Sequence, residues 1–195
     1  MGKIFYIMGK SSSGKDTLYK KLKMSFPKLK TVVPYTTRPI REGECDGVEY
    51  FFVDDEKLLN MKEADQVIEL RSYNTKCGVW HYFTANDGQI DLTHHDYLLI
   101  GTLVSYEALK DYFGEEMLVP IYIEVEDGLR LFRALERERS QKVPKYAEMC
   151  RRFLADESDF SEENLQKNNI TKRFMNNQLE ECLHEIEDYI RLNEA

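Results

Sequence analysis

Ile4 to Met8 is an apolar run of strand-forming residues that stops at Gly9. After a short Ser/Gly stretch, Leu18, Leu22 and Phe26 recur at four-residue spacing until Pro27, the spacing of an amphipathic helix. The pattern predicts strand, glycine loop, helix. Thr31 to Val33 predicts a second strand, stopped by Pro34. From Thr36 to Thr84 the texture changes. Short strand-like pieces, Val48 to Val53, Val67 to Tyr73 and Trp80 to Thr84, surround one helical stretch, Asp54 to Ala64, for which Asp54 is a fitting N-cap. Tyr97 to Ile100 is a compact apolar run suited to a buried parallel strand. A helix from Ser105 to Phe113, ended by Gly114, and a strand from Leu118 to Val125 follow. Leu129, Phe132 and Leu135 mark a helix that gives way to Arg137 to Lys145, a stretch almost without apolar residues that reads as a mobile surface element. A helix resumes near Tyr146 and runs to about Asp156, and Lys172 to Met175 is a last short strand. Leu179, Cys182, Leu183, Ile186 and Ile190 share one face of a final helix. Strands alternating with helices predict an α/β protein with a mostly parallel sheet covered on both faces.

Composition narrows the function more than the fold. The 195 residues suit one α/β domain with small inserted lobes. The net charge of −8 argues against a broad nucleic-acid surface, which needs a basic excess, but not against a small phosphorylated ligand. Cys45, Cys77, Cys150 and Cys182 form no CxxC pair, so a zinc knuckle or redox pair is not expected. No apolar run approaches the roughly 20 residues needed to span a bilayer. The expectation is a cytoplasmic protein with no membrane partner, as a monomer or homodimer.

The strongest chemical signal is Gly9-Lys10-Ser11-Ser12-Ser13-Gly14-Lys15-Asp16-Thr17. It fits G-x-x-x-x-G-K, with Asp16 where Ser or Thr is usual. Glycines let such a loop wrap tightly, so that several N–H groups and the positive end of the following helix converge on one anion. Lys15 adds a cation for the β- and γ-phosphates of ATP. These are the candidate ATP-binding residues: Gly9, Ser11, Ser12, Ser13, Gly14, Lys15, Asp16 and Thr17. A hydroxyl at position 16 would commonly ligate Mg²⁺, and the Asp16 carboxylate is expected to serve the metal in its place.

The second signal runs from Thr36-Thr37-Arg38-Pro39-Ile40-Arg41 through Gly43-Glu44 and Gly47 to Tyr50-Phe51-Phe52. Arg38 and Arg41, three apart, can grip one phosphate from two sides, and the Tyr50 hydroxyl can add a neutral donor. The two blocks together, in this order and spacing, resemble the guanylate kinase family, and the resemblance runs from Lys3 to about Met175. It implies a P-loop three-layer sandwich with a small mixed α+β acceptor lobe and a helical lid. On this reading the core is 1–33, 96–136 and 157–195, the acceptor lobe 34–95 and the lid 137–156. It also implies that Arg38, Arg41 and Tyr50 hold the acceptor phosphate and that Glu69 meets the N1 and N2 edge of guanine. Tyr82 and Thr84 match later contacts of the family. Arg133, Arg137 and Arg151 are expected to join Lys15 and Arg38 in stabilising the transferring phosphoryl group, as arginines of a closing lid. Asn176-Asn177 resembles an adenine-side pair of the family, but by itself reads as a strand-to-helix cap.

Two departures concern the base. The family carries Ser four residues before the first arginine, where this chain has Pro34, which offers no donor. It also carries Asp-x-Asp after the central apolar strand, where Leu98 to Leu103 holds no acid. The expected activity is transfer of the ATP γ-phosphoryl group, with Mg²⁺, to GMP or dGMP. A kinase of another small phosphorylated acceptor and a non-catalytic binding module are the alternatives. The intact Lys15, Arg38 and Arg41 favour an enzyme.

Overall fold

All five residues of β1 (Ile4–Met8) are buried, so this strand faces core on both sides. The computed structural model describes residues 1–41, 43–75 and 78–194. β1 is flanked in a parallel sheet by β6 (Tyr97–Ile100) and β7 (Leu118–Glu124), with β8 (Arg173–Met175) beyond β7. Alternation then sorts its side chains. Phe5 and Ile7 pack with Leu18 and Leu22 of α1 (Lys15–Ser25) and with Leu183, Ile186 and Ile190 of α7 (Leu179–Asn193). Ile4, Tyr6 and Met8 pack on the other face with Leu103, Tyr106 and Leu109 of α3 (Leu103–Phe113) and Leu165 of α6 (Glu162–Lys167). The result is the expected three-layer α/β arrangement. Because all four strands are parallel, their C-terminal ends lie on one edge, where a ligand site forms in such sheets. Met8, Ile100, Glu124 and Met175 are the last strand residues at that edge.

A second sheet is inserted between β1 and β6. Its order is β3 (Phe51–Phe52), β2 (Tyr35–Thr36), β5 (Gly78–Ala85), β4 (Val67–Thr75), with β2–β3 parallel and the other pairings antiparallel. Tyr35, Leu70, Phe83 and Ala85 pack with Leu58 and Met61 of α2 (Asp55–Glu63). Asp54 caps that helix as expected, accepting from the Lys57 N–H at 2.7 Å. The cross-strand partners Glu69–Thr84, Arg71–Tyr82 and Tyr73–Trp80 alternate with these core residues and so share the opposite face. Lys76 and Cys77, between β4 and β5, lie outside the described residues, as does Glu42 of the arginine block. Among the described cysteines, Cys45, Cys150 and Cys182 are free.

Several expectations are corrected. Thr31 to Val33 is no strand beyond a single bridge from Lys30 to Tyr97, because the Gln89 amide takes up the Val33 backbone, accepting from its N–H at 2.9 Å and donating to its C=O at 3.1 Å. The Val48 to Val53 strand shrinks to Phe51–Phe52. The supposed mobile element from Arg137 is partly helix: α4 (Asp127–Arg139) continues into its first three residues. The turn that follows is closed by the buried Glu138 carboxylate, which accepts from the Lys145 N–H at 3.0 Å. α5 (Tyr146–Asp159) then runs three residues longer than expected. The short α6 was not expected, although Ser161 followed by Glu162 and Glu163 is a helix-start signal, and the Ser161 hydroxyl caps Asn164. No helix among the described residues is long and apolar enough to cross a membrane.

Candidate active site

The loop after β1 is shaped by backbone conformations that few residues adopt. Ser12 has φ 64° and Gly14 φ 86°. A Cβ on Gly9 would stand 2.5 Å from the Ile123 carbonyl oxygen, and one on Gly14 would stand 2.3 Å from Asn176 Nδ2. Both glycines are therefore required by close approach as well as by φ. α1 begins at Lys15, so its free N–H groups open into the loop. Burial pulls the Lys15 amine below the usual lysine range, while Asp16 and Asp156 pull it back up. The Ser12 and Ser13 hydroxyls are buried without a hydrogen-bond partner among the described residues. Leaving such groups unpaired is costly. Asp16 and Thr17 are exposed on the first turn of α1.

Asn176 corrects the cap reading. It is 2% exposed, and its Nδ2 donates to the Ser13 carbonyl at 2.7 Å, holding the loop from the end of β8. α7 starts instead after Gln178, which makes no side-chain cap. Arg133 reinforces this brace, donating from Nη2 to the Asn176 carbonyl at 3.0 Å. That contact puts Arg133 beside the loop and occupies part of its guanidinium.

α4 and α5 meet the loop through charge. Arg130, 1% exposed, donates to Asp127 from Nε at 3.2 Å and Nη2 at 3.1 Å, to Asp156 from Nη1 at 3.3 Å, and to Glu157. Its guanidinium carbon stands 3.9 Å from the centre of the Phe153 ring. Asp156 in turn accepts from the Ser11 N–H at 2.8 Å, and Glu157 accepts from Lys10 Nζ at 2.8 Å. Arg152 donates from Nη2 to the Ser11 hydroxyl at 3.0 Å. Arg151, the residue singled out from sequence, points away and pairs with Glu148 at 2.7 Å, its side chain 65% exposed. The structure therefore puts Arg152, not Arg151, at the loop. The pair Arg151-Arg152 cannot present both side chains to one side of a helix, and sequence alone did not say which faces inward.

On the lobe the two arginines of the second block are unlike. Arg38 is 3% exposed and forks onto Glu44, with Nη1–Oε2 at 2.7 Å and Nη2–Oε1 at 2.6 Å. Nη1 also donates to the Pro39 carbonyl at 2.9 Å. Hydrogen bonding from Arg38 holds the Glu44 carboxyl down to about 2, so the pair is ionised throughout the neutral range. The guanidinium lies over Tyr50 and Phe52, 5.1 and 5.2 Å from their ring centres. Tyr50 meets Tyr82 edge-on at 5.6 Å. Arg41 is exposed; its backbone N–H donates to the Glu44 carboxylate at 2.8 Å and its carbonyl accepts from the Glu44 N–H at 3.1 Å. Glu69 is buried and already engaged: Arg71 donates to it from Nε at 3.0 Å and Nη2 at 3.2 Å, and the Thr84 hydroxyl donates at 2.9 Å. Sequence reading missed Arg71; its spacing of two from Glu69 on a strand was the available signal.

Some of these groups share one hollow, while Lys15, Arg38, Tyr50, Glu69, Tyr82 and Thr84 are not among the residues that line it. A cleft of about 480 Å³ is lined by Ser11 and Ser12 of the loop, Arg41 and Trp80 of the lobe, and Arg137 and Arg152 of α4 and α5. Trp80 thus faces the cleft as well as the lobe. The loop side thus offers hydroxyls, the lobe and the α4–α5 side offer cations, and Glu138 and Glu148 also lie in the lining.

Comparison with known proteins covers the loop and most of the lobe, but its family match stops short of Trp80 and of α4 and α5. The family model described as guanylate kinase matches residues 1–79. A guanylate kinase of Synechococcus sp. (strain JA-3-3Ab) is 42% identical over 72 residues, which is 37% of this chain and 33% of its own length. One from Helicobacter hepaticus (strain ATCC 51449 / 3B1) is 33% identical over 115 residues, 58% of this chain and 56% of its own length. The chain thus spans from about a third to little more than half the length of these curated relatives. Among solved structures, guanylate kinase from Anaplasma phagocytophilum superposes with a TM-score of 0.66, covering 99% of this chain and 86% of its own, at 20% identity. That last likeness is one of fold.

Proposed function

We propose, from the premise that this chain belongs by its first 79 residues and by its fold to the guanylate kinase family, that it transfers the γ-phosphoryl group of ATP to a nucleoside monophosphate. The observation that carries this reading is the single cleft lined by the glycine loop, Arg41 and the α4–α5 arginines. A phosphate oxygen of the acceptor attacks the γ-phosphorus, the bond from that phosphorus to the β-phosphate oxygen breaks, and ADP leaves with the electron pair. No side-chain base is needed, because a nucleotide phosphate is already an anionic nucleophile.

The protein's part is positioning and charge. Loop N–H groups and Lys15 bind the ATP phosphates. Arg41, with the Arg38 and Tyr50 wall behind it, holds the acceptor phosphate. Arg137 and Arg152 stand over the junction and offset charge spreading onto the equatorial oxygens. Residues 137–156 act as the lid, and their closure excludes water. Mg²⁺ suits this site: it is commonly held by one or two carboxylates plus substrate phosphates, and Asp16 lies on the first turn of α1. Bound there with Asp16 or Thr17, it would supply charge neutralisation of the phosphates.

GMP or dGMP is the first acceptor to test, on the strength of the relatives. The second reading, another acceptor of the same size, is favoured by one observation: the Glu69 carboxylate is occupied by Arg71. The non-catalytic alternative is disfavoured by Lys15 and the formed loop. A coupled ADP-release assay over GMP, dGMP, XMP, AMP, UMP and CMP tests the proposal. Arg152→Met is expected to lower turnover by about 10²-fold and Arg151→Met by less than about twofold. No acceptor-dependent ADP release with any monophosphate would rule the kinase reading out.

A further inference from the structure

In a subsite that reads guanine through a carboxylate, the acid must be free to accept from N1 and N2 of the base. Glu69 is not free. Its carboxylate, 4% exposed, takes both arms of the Arg71 fork and the Thr84 hydroxyl. The Arg71 side chain, 19% exposed, retains the edge that faces away from Glu69, and Nη1 donates to no group among the described residues. Arg71 sits opposite Tyr82 in the sheet, on the face shared by Tyr73, and the Tyr73 and Tyr82 rings meet edge-on at 5.6 Å. Arg71 thus leaves a donor open at this end.

The end of β6 supplies no acid to this region either. In the acid-free stretch Leu98 to Leu103, a Cβ on Gly101 would lie 2.0 Å from the Tyr6 hydroxyl oxygen. Tyr6 donates to the Thr102 carbonyl at 3.1 Å. No side chain, acidic or otherwise, fits at position 101 while Tyr6 stays. Its phenol is within electrostatic reach of both Arg71 and Glu69. A tyrosine thus occupies space that a carboxylate side chain at position 101 would need.

We infer that Arg71 reverses the polarity of the base end of the acceptor subsite, so that it selects a ring presenting carbonyl oxygens, a purine or pyrimidine dione, over guanine with its amino group. The inference rests on the kinase reading of the same cleft and names its acceptor. Xanthine and guanine differ at C2, a carbonyl in one and an amino group in the other. The carbonyl accepts from Arg71; the amino group brings a donor against a guanidinium and finds Glu69 taken. A site built around a hydrogen-bonding group discriminates strongly against the analogue that cannot make the bond.

The test compares kcat/KM for XMP, UMP and GMP with ATP, together with calorimetric binding of each monophosphate alone. The wild-type chain is expected to favour a dione, XMP for the purine or UMP for the pyrimidine, over GMP by at least about tenfold. Arg71→Ala is expected to remove that preference or turn it toward GMP, since it frees Glu69. Arg71→Lys, which keeps a cation beside Glu69 should the alanine variant not fold, is expected to reduce the preference without reversing it. A wild-type preference for GMP, in turnover or in binding, overturns the inference and leaves the kinase reading intact. Absence of acceptor-dependent ADP release with all three, while all three fail to bind, overturns both.

Discussion

Lys15→Met is expected to lower acceptor-dependent ADP release by about 10²- to 10³-fold, the effect of removing one preorganised donor from a transferring anion, which corresponds to about 3–4 kcal/mol. Lys15 is the residue at which α1 begins, immediately behind a glycine whose Cβ has no room, so its backbone position is fixed by the loop. The buried hydroxyls of Ser12 and Ser13 lie in the same loop without partners among the described residues. The substitution removes charge without adding volume and should leave the unfolding midpoint nearly unchanged. Lys15→Arg should not rescue, because a planar fork does not fit where a compact ammonium is used. The measurement is kcat at saturating ATP beside a urea unfolding curve. Activity above about a tenth of wild type in Lys15→Met would show that the loop is not the ATP site.

Arg130→Met is expected to cost about 3 kcal/mol of stability and to raise the KM for ATP. Breaking a buried ion pair by removing one partner typically costs 3–5 kcal/mol. The low end applies here because Asp127 and Glu157 are partly solvated, with side chains 54% and 38% exposed. The Asp156 side chain, 15% exposed, is the group left worst off. It accepts from Ser11 N–H, so without Arg130 it loses its hydrogen-bonded cation beside the loop and keeps only the weaker field of Lys15. On the kinase reading, stability and ATP affinity are thus linked through one side chain. The denaturant midpoint and the KM for ATP decide it together. A loss below about 1 kcal/mol with an unchanged KM would mean that the acids are neutralised from elsewhere.

Much of this was legible before any coordinates. β1, the glycine loop and α1 follow from an apolar run meeting glycine and a helical period, and each depends on neighbours within a few residues. The elements that were misread depend on distant partners. Val33 is claimed by Gln89, and the turn at Lys145 is closed by Glu138, seven residues upstream. Site residues divide the same way. Lys15 and Arg41 announce themselves by motif. Asn176 reads locally as a cap and becomes a brace for the loop only because β8 ends beside Ser13. Arg152 and Arg151 are equivalent as letters and are separated by the rotation of α5. Arg71 carries no motif, and its effect on Glu69 appears only once a strand places them on one face. The missing acid near Leu98 was visible in sequence; the Tyr6 hydroxyl close to Gly101 was not.

The central claim is that the two phosphate grips share one cleft, and a two-ended ligand tests it most directly. A dinucleotide with adenosine joined through five phosphates to the preferred acceptor nucleoside engages both grips at once. Calorimetry should find it bound at least about 10²-fold more tightly than ATP or the monophosphate alone, since the second end binds at high effective concentration. Lys15→Met and Arg41→Met should each remove most of that gain. Affinity no greater than that of ATP, and indifferent to Arg41, would mean that the loop and the lobe do not meet over one ligand.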